Sequence, residues 1–242
     1  MERLNRFLAR AGVASRRASD QLIQTGKVEV NGQVVTHPGT RVDPEIDVVR
    51  CAGKVATLVQ TNTYVLLNKP AGYLVSATDP HHQKTVFGLL KDIQARVFPV
   101  GRLDLDTQGV LLLTDDGDLS YRLTHPRYEV EKVYRAVVRG RPLPDALGLL
   151  AKGVVLEDGI TAPAKVKQIR NLGANSVLEL TLHEGRKRQV KLMCVAVGHR
   201  VLELTRIVFA GLVVDGLALG KWRHLTPKEV NALKELVGLD DK

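Results

Sequence analysis

The chain has 242 residues, 44% of them hydrophobic and 25% charged, with 35 lysines and arginines against 26 aspartates and glutamates and a net charge of +9. The hydrophobic share supports packed cores and argues against disorder, and the length fits one small module followed by a larger one. The positive balance points to a polyanionic partner, first of all nucleic acid. No apolar run reaches the ~20 residues that span a bilayer, and the Arg-rich N-terminus lacks the apolar centre of a secretory signal. The two cysteines, Cys51 and Cys194, lie far apart in apolar stretches, so no disulfide framework is expected and the cytoplasm is the expected compartment. The seven histidines are scattered without H-x-x-x-H spacing, and no C-x-x-C pair occurs, so no metal site is expected.

Leu4, Phe7, Leu8 and Ala11 recur at helical spacing up to Gly12. Ser15 is placed to cap a second helix that carries Ala18, Leu22 and Ile23 and closes at Gly26. Val28 to Val30 and Gln33 to Val35 flank Asn31-Gly32, a two-residue hairpin turn in which both positions need positive φ. A further strand is expected from Ile46 to Cys51, and Thr57 to Thr63 reads as a connector, which divides the chain into domains at 1–60 and 61–242. Across the first helices lie Arg3, Arg6, Arg10, Arg16 and Arg17, opposed there only by Glu2 until Asp20. Arginines at 3, 6 and 10 fall on one side of a helix and Leu4, Phe7 and Leu8 on the other, the pattern of a phosphate-contacting surface backed by a core; a solvated arginine face is the plainer reading.

The second segment opens with a strand from Tyr64 to Asn68 and a turn at Lys69-Pro70-Ala71-Gly72. Val110 to Thr114 reads as an apolar strand, Asp115-Asp116-Gly117 as a turn, and Asp118 as the cap of a short helix through Leu119 and Leu123. Tyr134, Ala136 and Val138 share one face of a strand from Val133 to Arg139, as do Leu178, Leu180 and Leu182 of another. Val190, Met193, Cys194 and Val197 mark a helix closing at Gly198, and Thr226-Pro227-Lys228-Glu229 is a capping box that opens a last helix. Strands dominate without regular βαβ alternation, so the expected class is α+β.

Two stretches break the local rules of a purely structural sequence. In Gly101-Arg102-Leu103-Asp104-Leu105-Asp106, an extended chain would turn Arg102, Asp104 and Asp106 the same way, letting the arginine hold Asp104 ionised as a nucleophile needs; a structural ion pair accounts for the triplet equally well. In Glu184-Gly185-Arg186-Lys187-Arg188-Gln189-Val190-Lys191, cations crowd the start of a helix, where they oppose the helix dipole by about 0.3–1 kcal/mol each when exposed. An RNA phosphate or a catalytic carboxylate at that place reverses the sign.

These stretches carry a resemblance to known proteins. Residues 3–35, RLNRFLARAGVASRRASDQLIQTGKVEVNGQVV, are similar to an S4 domain, a module that binds structured RNA. FPVGRLDLDTQGVLLLTDDGDL is similar to the signature of the RsuA/RluB group of ribosomal RNA pseudouridine synthases, and the likeness extends over nearly all of residues 64–237. The resemblance implies a small S4-type RNA-binding domain followed by a synthase domain on a mainly antiparallel sheet, an isomerase that needs no cofactor and no metal. In the group, the aspartate of the G-R-L-D motif is the nucleophile, here Asp104. EKVYRA resembles the segment that supplies the active-site tyrosine, giving Tyr134, EGRKRQVKLM resembles the one that supplies a basic partner to the aspartate, giving Lys191, and Leu204 in VLELTRI fits the apolar residue that packs on the target base.

Arg102 would border the base pocket, and Arg3, Arg6, Arg10, Arg16, Arg17, Arg186, Lys187 and Arg188 would contact RNA. Asp106 would support. The stretch LTHPRYEVEKVYRA resembles the RluB side of the group and implies large-subunit RNA, and the implied partner is ribosomal RNA or a ribosomal subunit precursor bound by a monomer. Two other functions fit parts of the sequence. A non-catalytic S4 factor in ribosome assembly explains the charge and the first domain only, and a metal-dependent nuclease using Asp104, Asp106, Asp115 and Asp116 gives Tyr134 and Lys191 no role.

Overall fold

The computed structural model describes residues 1–58, 61–76 and 84–239. The chain forms two compact units, Met1–Thr63 with Asp115–Gly117, and Tyr64–Thr114 with Asp118–Lys242. The connector expected over Thr57 to Thr63 lies partly outside the described residues, at 59 and 60.

The first unit runs β1 (Glu2–Arg3), α1 (Leu4–Arg10), α2 (Arg16–Gln24), β2 (Val28–Val30), β3 (Gln33–Val35), β4 (Arg41–Val42), β5 (Val49–Cys51) and β6 (Lys54–Val55). Strands β3-β2-β5-β6 form one sheet, and β1 pairs with β4. Leu4, Phe7, Leu8, Ile23, Val28, Val42 and Val49 make the core, so the apolar stripe of the two helices is what holds them to the sheet. Ser15 caps α2 by accepting from the Ala18 amide at 3.2 Å. Asn31 and Gly32 turn the hairpin with φ of 52° and 80°, as their residue types require.

Two expectations fail here. Ile46 is outside the strand and 77% exposed, because the Asp47 amide bonds back to the Asp43 carbonyl at 2.8 Å and the chain turns before β5 begins. Arg3 precedes α1 in extended conformation, so it does not share a helical side with Arg6 and Arg10.

The second unit contains β7 (Tyr64–Lys69), β8 (Phe98–Pro99), β9 (Thr107–Thr114), α3 (Gly117–Thr124), β10 (Lys132–Arg139), α4 (Pro144–Lys152), β11 (Val155–Leu156), β12 (Gly159–Ile160), β13 (Lys165–Leu172), β14 (Asn175–Leu182), α5 (Gln189–Ala196), β15 (Val201–Phe209), β16 (Trp222–His224) and α6 (Pro227–Leu236). One sheet runs β13-β14-β10-β15-β9-β7-β16, with β8 added against β9. Among its described pairs β9 and β15 run parallel and the rest antiparallel, which makes this unit α+β on a mainly antiparallel sheet.

Sequence pattern and burial agree strand by strand. In β7 and β9 the apolar runs are continuous because both faces are covered: Leu66, Val110 and Leu112 pack with Leu119, Leu123 and Leu233 of α3 and α6, while Val65, Leu67, Leu111 and Leu113 pack with Val86, Leu90 and Leu103. In β10 and β14 the residues alternate because one face carries the core, Ala136, Val138, Leu178 and Leu180 with Met193 and Cys194 of α5. Each fully buried leucine contributes on the order of 1.5–3 kcal/mol.

Three boundaries differ from expectation. Strand β9 starts at Thr107, ahead of Val110, because Gly109 at φ 105° lets β15 approach so closely that a Cβ there would stand 2.1 Å from the Arg206 carbonyl oxygen. Helix α3 starts at Gly117, which puts Asp118 in its first turn and not at its cap. The segment Gly101 to Asp106 is not a continuous strand; it turns at Leu105-Asp106, where the Thr107 amide reaches the Asp104 carbonyl at 3.1 Å. The capping box of α6 is formed as expected, with Thr226 and Glu229 each serving the other's backbone amide.

Candidate active site

The turn carrying Asp104 is held from below by Lys69, the last residue of β7. Its side chain is fully buried, and its ammonium donates to the carbonyls of Thr107 at 2.8 Å, Asp104 at 3.1 Å, Pro70 at 3.1 Å and Leu105 at 3.4 Å. Burial pushes the Lys69 ammonium down to about 8, against the opposing pull of Asp106 and Asp104. The Gly72 amide donates to the Leu105 carbonyl at 2.7 Å and closes the turn from the other side. The sequence marks Lys69 only as part of a turn. The available signal was a lysine ending the run Tyr-Val-Leu-Leu-Asn, where burial without a dedicated set of acceptors is costly.

Leu103 goes into the core with 6% exposure, and Arg102 is exposed with no hydrogen bond or ion pair among the described residues. The expected Arg102–Asp104 partnership is therefore absent there, because the turn at Leu105-Asp106 breaks the alternation on which it depended. Lys191 occupies that place. Its Nζ lies 2.8 Å from Asp104 Oδ2 and 2.5 Å from Asp106 Oδ1, with the lysine side chain 12% exposed. The Lys191 hydrogen bond, with the charges of Lys191 and Arg188, holds the Asp106 carboxyl below the usual range against a smaller opposing effect of burial.

Lys191 reaches these carboxylates because the turn before α5 is built rigidly. Glu184 accepts from Arg186 Nε at 3.1 Å, from the Ala162 amide at 3.0 Å and from the Gln189 side chain. Arg186 also donates to Asp158 at 3.2 Å and to the carbonyls of Gly159 and Ile160 at 3.0 and 2.6 Å. Most of its N–H groups are thus spent inside the protein, which leaves Lys187 and Arg188 as the exposed cations of this turn. Arg188 enters α5 in left-handed conformation, φ 55°.

Between this turn and the Asp104 segment lies a cleft of about 540 Å³, lined by Asp104, Tyr134, Leu204, Arg102, Arg186, Lys187 and Arg188 among others. Leu204, 7% exposed, also borders a smaller cavity of about 150 Å³ with Asp106, Arg188 and Lys191. In the first unit, Glu2 pairs with Arg6 at 3.2 Å and with Arg10 at 2.6 Å, whereas Arg3, Arg16 and Arg17 are exposed and have no ion pair among the described residues. No group of three or more histidines, cysteines, aspartates or glutamates among the described residues is arranged to hold a metal ion, and none of their helices is long and apolar enough to cross a membrane.

The chain that builds this fold and cleft is similar to a class of RNA-modifying enzymes. Residues 63–196 match the family model of RNA pseudouridylate synthases and residues 2–48 that of S4 domains. The chain belongs to the RNA pseudouridylate synthase family, with an S4 domain in front of the catalytic one. It is 46% identical to an uncharacterized RNA pseudouridine synthase of Aquifex aeolicus, covering 98% of this chain and 95% of that one. It is 45% identical to the ribosomal large subunit pseudouridine synthase B of Bacillus subtilis, over 98% and 97%. A crystal structure of a pseudouridylate synthase superposes with a TM-score of 0.69 at 30% identity, over 96% of this chain and all of that one. The enzyme is an isomerase.

Proposed function

We propose that this enzyme isomerises one uridine of ribosomal RNA, in the large subunit, with Asp104 as the nucleophile. The observation that carries the reading is the Lys191–Asp104 hydrogen bond of 2.8 Å at the edge of the cleft that Tyr134 and Leu204 line. The subunit preference is supported by the relative from Bacillus subtilis. The reaction breaks the N1–C1′ bond, turns the base and joins C5 to C1′, with no redox change, so it calls for no cofactor. The target base leaves its stack at a cost of a few kcal/mol and needs an apolar and aromatic receptor, the role of Tyr134 and Leu204. Asp104 then attacks C1′ of the sugar or C6 of the base, held in place by Lys191, with Asp106 supporting the lysine.

Arg102, Lys187 and Arg188 border the cleft as contacts for the RNA backbone, and Arg3, Arg16 and Arg17 of the S4 domain add phosphate contacts. Arg6, Arg10 and Arg186 contribute less, since each already has a protein carboxylate. The substrate is ribosomal RNA or a subunit precursor, met by a monomer in the cytoplasm. The test is to map pseudouridines in ribosomal RNA from cells with and without this gene, and with the gene carrying Asp104→Asn. Loss of one large-subunit pseudouridine in both altered strains is expected. Its persistence with Asp104→Asn removes Asp104 from the nucleophile role, and an unchanged map without the gene removes ribosomal RNA as the substrate.

A further inference from the structure

Two buried polar atoms of residues that line the Asp104 cleft have no hydrogen-bond partner among the described residues and no part in the roles given so far. Thr107, 2% exposed, begins β9, and its Oγ1 is buried without a hydrogen bond; Arg206 of β15, also 2% exposed, has a buried Nη2 without one. Both residues line the 540 Å³ cleft together with Asp104, Tyr134 and Leu204. The register puts them on one surface: Leu204 lies opposite Thr107 in the parallel pair, and Arg206 lies opposite Tyr134 in the antiparallel one.

The guanidinium is fixed, with Nε donating to the Val110 carbonyl at 2.9 Å and Cζ 4.7 Å from the centre of the Phe209 ring. A second buried cation, Lys132, lines the same cleft with its ammonium on the Val130 carbonyl at 2.6 Å, and burial and the charge of Arg206 push it down to about 8. Leaving a buried donor unmade costs about 1–3 kcal/mol, more for a charged group, and a fold does not need two such donors and a second cation on one floor.

The chemistry of uridine isomerisation supplies the missing acceptor. If Asp104 bonds to C1′, the N1–C1′ electron pair leaves with the uracil and spreads onto O2 and O4. If it bonds to C6, the C5–C6 π pair moves onto the C4 carbonyl oxygen. On either route a uracil carbonyl oxygen becomes anionic; on the C6 route the N1–C1′ bond then breaks with its pair on N1, and on both routes the base turns, C5 bonds to C1′, C5 gives up its proton, N1 takes one and Asp104 is released. We propose that Thr107 Oγ1 and Arg206 Nη2 are the donors that hold this oxyanion, a floor for the detached or adducted uracil in the field of Lys132. This rests on the Asp104 reading and deepens it: Asp104 handles the carbon, and the floor handles the charge that its attack creates.

Single-turnover rates of N1–C1′ bond cleavage on RNA carrying uridine or 5-fluorouridine at the target position test it, since fluorine leaves no proton at C5 for the last step and the cleavage step is common to both substrates. Fluorine at C5 withdraws charge and stabilises the uracil anion, so an enzyme short of oxyanion donors loses less on the fluorinated substrate. Arg206→Gln is expected to slow the uridine reaction by about 10²–10³-fold, the usual effect of one oxyanion donor, with RNA affinity within about twofold and a loss at least several times smaller on 5-fluorouridine. Thr107→Val, which keeps the shape and removes the hydroxyl, is expected to show the same selectivity with a smaller loss, and it decides the matter if Arg206→Gln does not fold. Equal losses on the two substrates, or no loss in folded Thr107→Val, overturn the proposal. An Asp104→Asn control keeps the two readings apart: turnover there sinks the nucleophile assignment whatever the floor variants do.

Discussion

The molecule carries two kinds of basic region, and they differ in what surrounds the cations. In the S4 unit Arg3, Arg16 and Arg17 are exposed, and Arg6 and Arg10 share one glutamate on the surface. In the synthase unit Lys69, Lys132 and Arg206 are buried, and Lys191 is nearly so, each on defined acceptors. Exposed cations act through a field that salt screens within about 10 Å, so they supply affinity and tolerate imprecision. Buried cations act through geometry, where displacement by 1 Å can cost about 100-fold in rate. On the proposed reading the same residue types bind RNA in one region and organise a reacting centre in the other.

The largest effects should come from the buried set. Lys191→Met is expected to lower turnover by about 100-fold, and Lys191→Arg to keep a larger part of it, because a cation still reaches Asp104. Rates under saturating RNA check this, and unchanged turnover in both variants ends the Lys191–Asp104 partnership. Lys69→Met, which removes the ammonium shared by the carbonyls of the Asp104 turn, should cost on the order of 3 kcal/mol and lower activity together with the melting midpoint. A variant that melts like the wild type while its turn stays in place would show that solvent satisfies those carbonyls.

The exposed set should act on affinity. Replacing Arg3, Arg16 and Arg17 together by glutamine should weaken RNA binding and flatten its logarithmic salt slope by about 0.7–0.9 per lost phosphate contact, with turnover at saturation little changed. The same replacement at Arg6 and Arg10 should change the slope less, since Glu2 already offsets them. Equal slopes in all three proteins would reduce this face to a solvated one.

The smallest effect concerns the end of the chain. Arg223, with the Thr226 amide and hydroxyl, holds the Glu229 carboxyl down to about 2 from an ordinary value of 4.5, against burial. A carboxyl lowered on folding stabilises the fold fully above its ordinary value and loses that contribution as pH falls from about 4.5 to about 2. Glu229→Gln should remove this acid limb from a plot of melting midpoint against pH, and Thr226→Ala should cost about 1 kcal/mol at neutral pH. A wild-type curve flat across that window would show that the pair adds nothing.

What a single element can settle was legible in the sequence. Asn31-Gly32 dictated its hairpin because both residues tolerate positive φ, Ser15 and Thr226 dictated helix starts because their oxygens accept from amides one turn on, and the change from alternating to continuous apolar residues told which strands are covered on one face or both. The motif around Asp104 and the basic turn before α5 were visible as departures from these rules.

What only the tertiary structure decided is which charges meet. Arg102 stood nearest to Asp104 in sequence, yet Lys191, 87 positions away, makes the bond, because the turn at Leu105-Asp106 redirects the chain and the sheet brings α5 alongside. Arg186 looked like an RNA contact and is held by Glu184 and Asp158. Lys132, Thr107 and Arg206 gave no sequence signal of a site because their surroundings depend on burial between strands distant in sequence. Local pattern encodes backbone conformation and the side that faces the core, whereas electrostatic partnership depends on distances across the sheet, which exist only once the strands have paired in register.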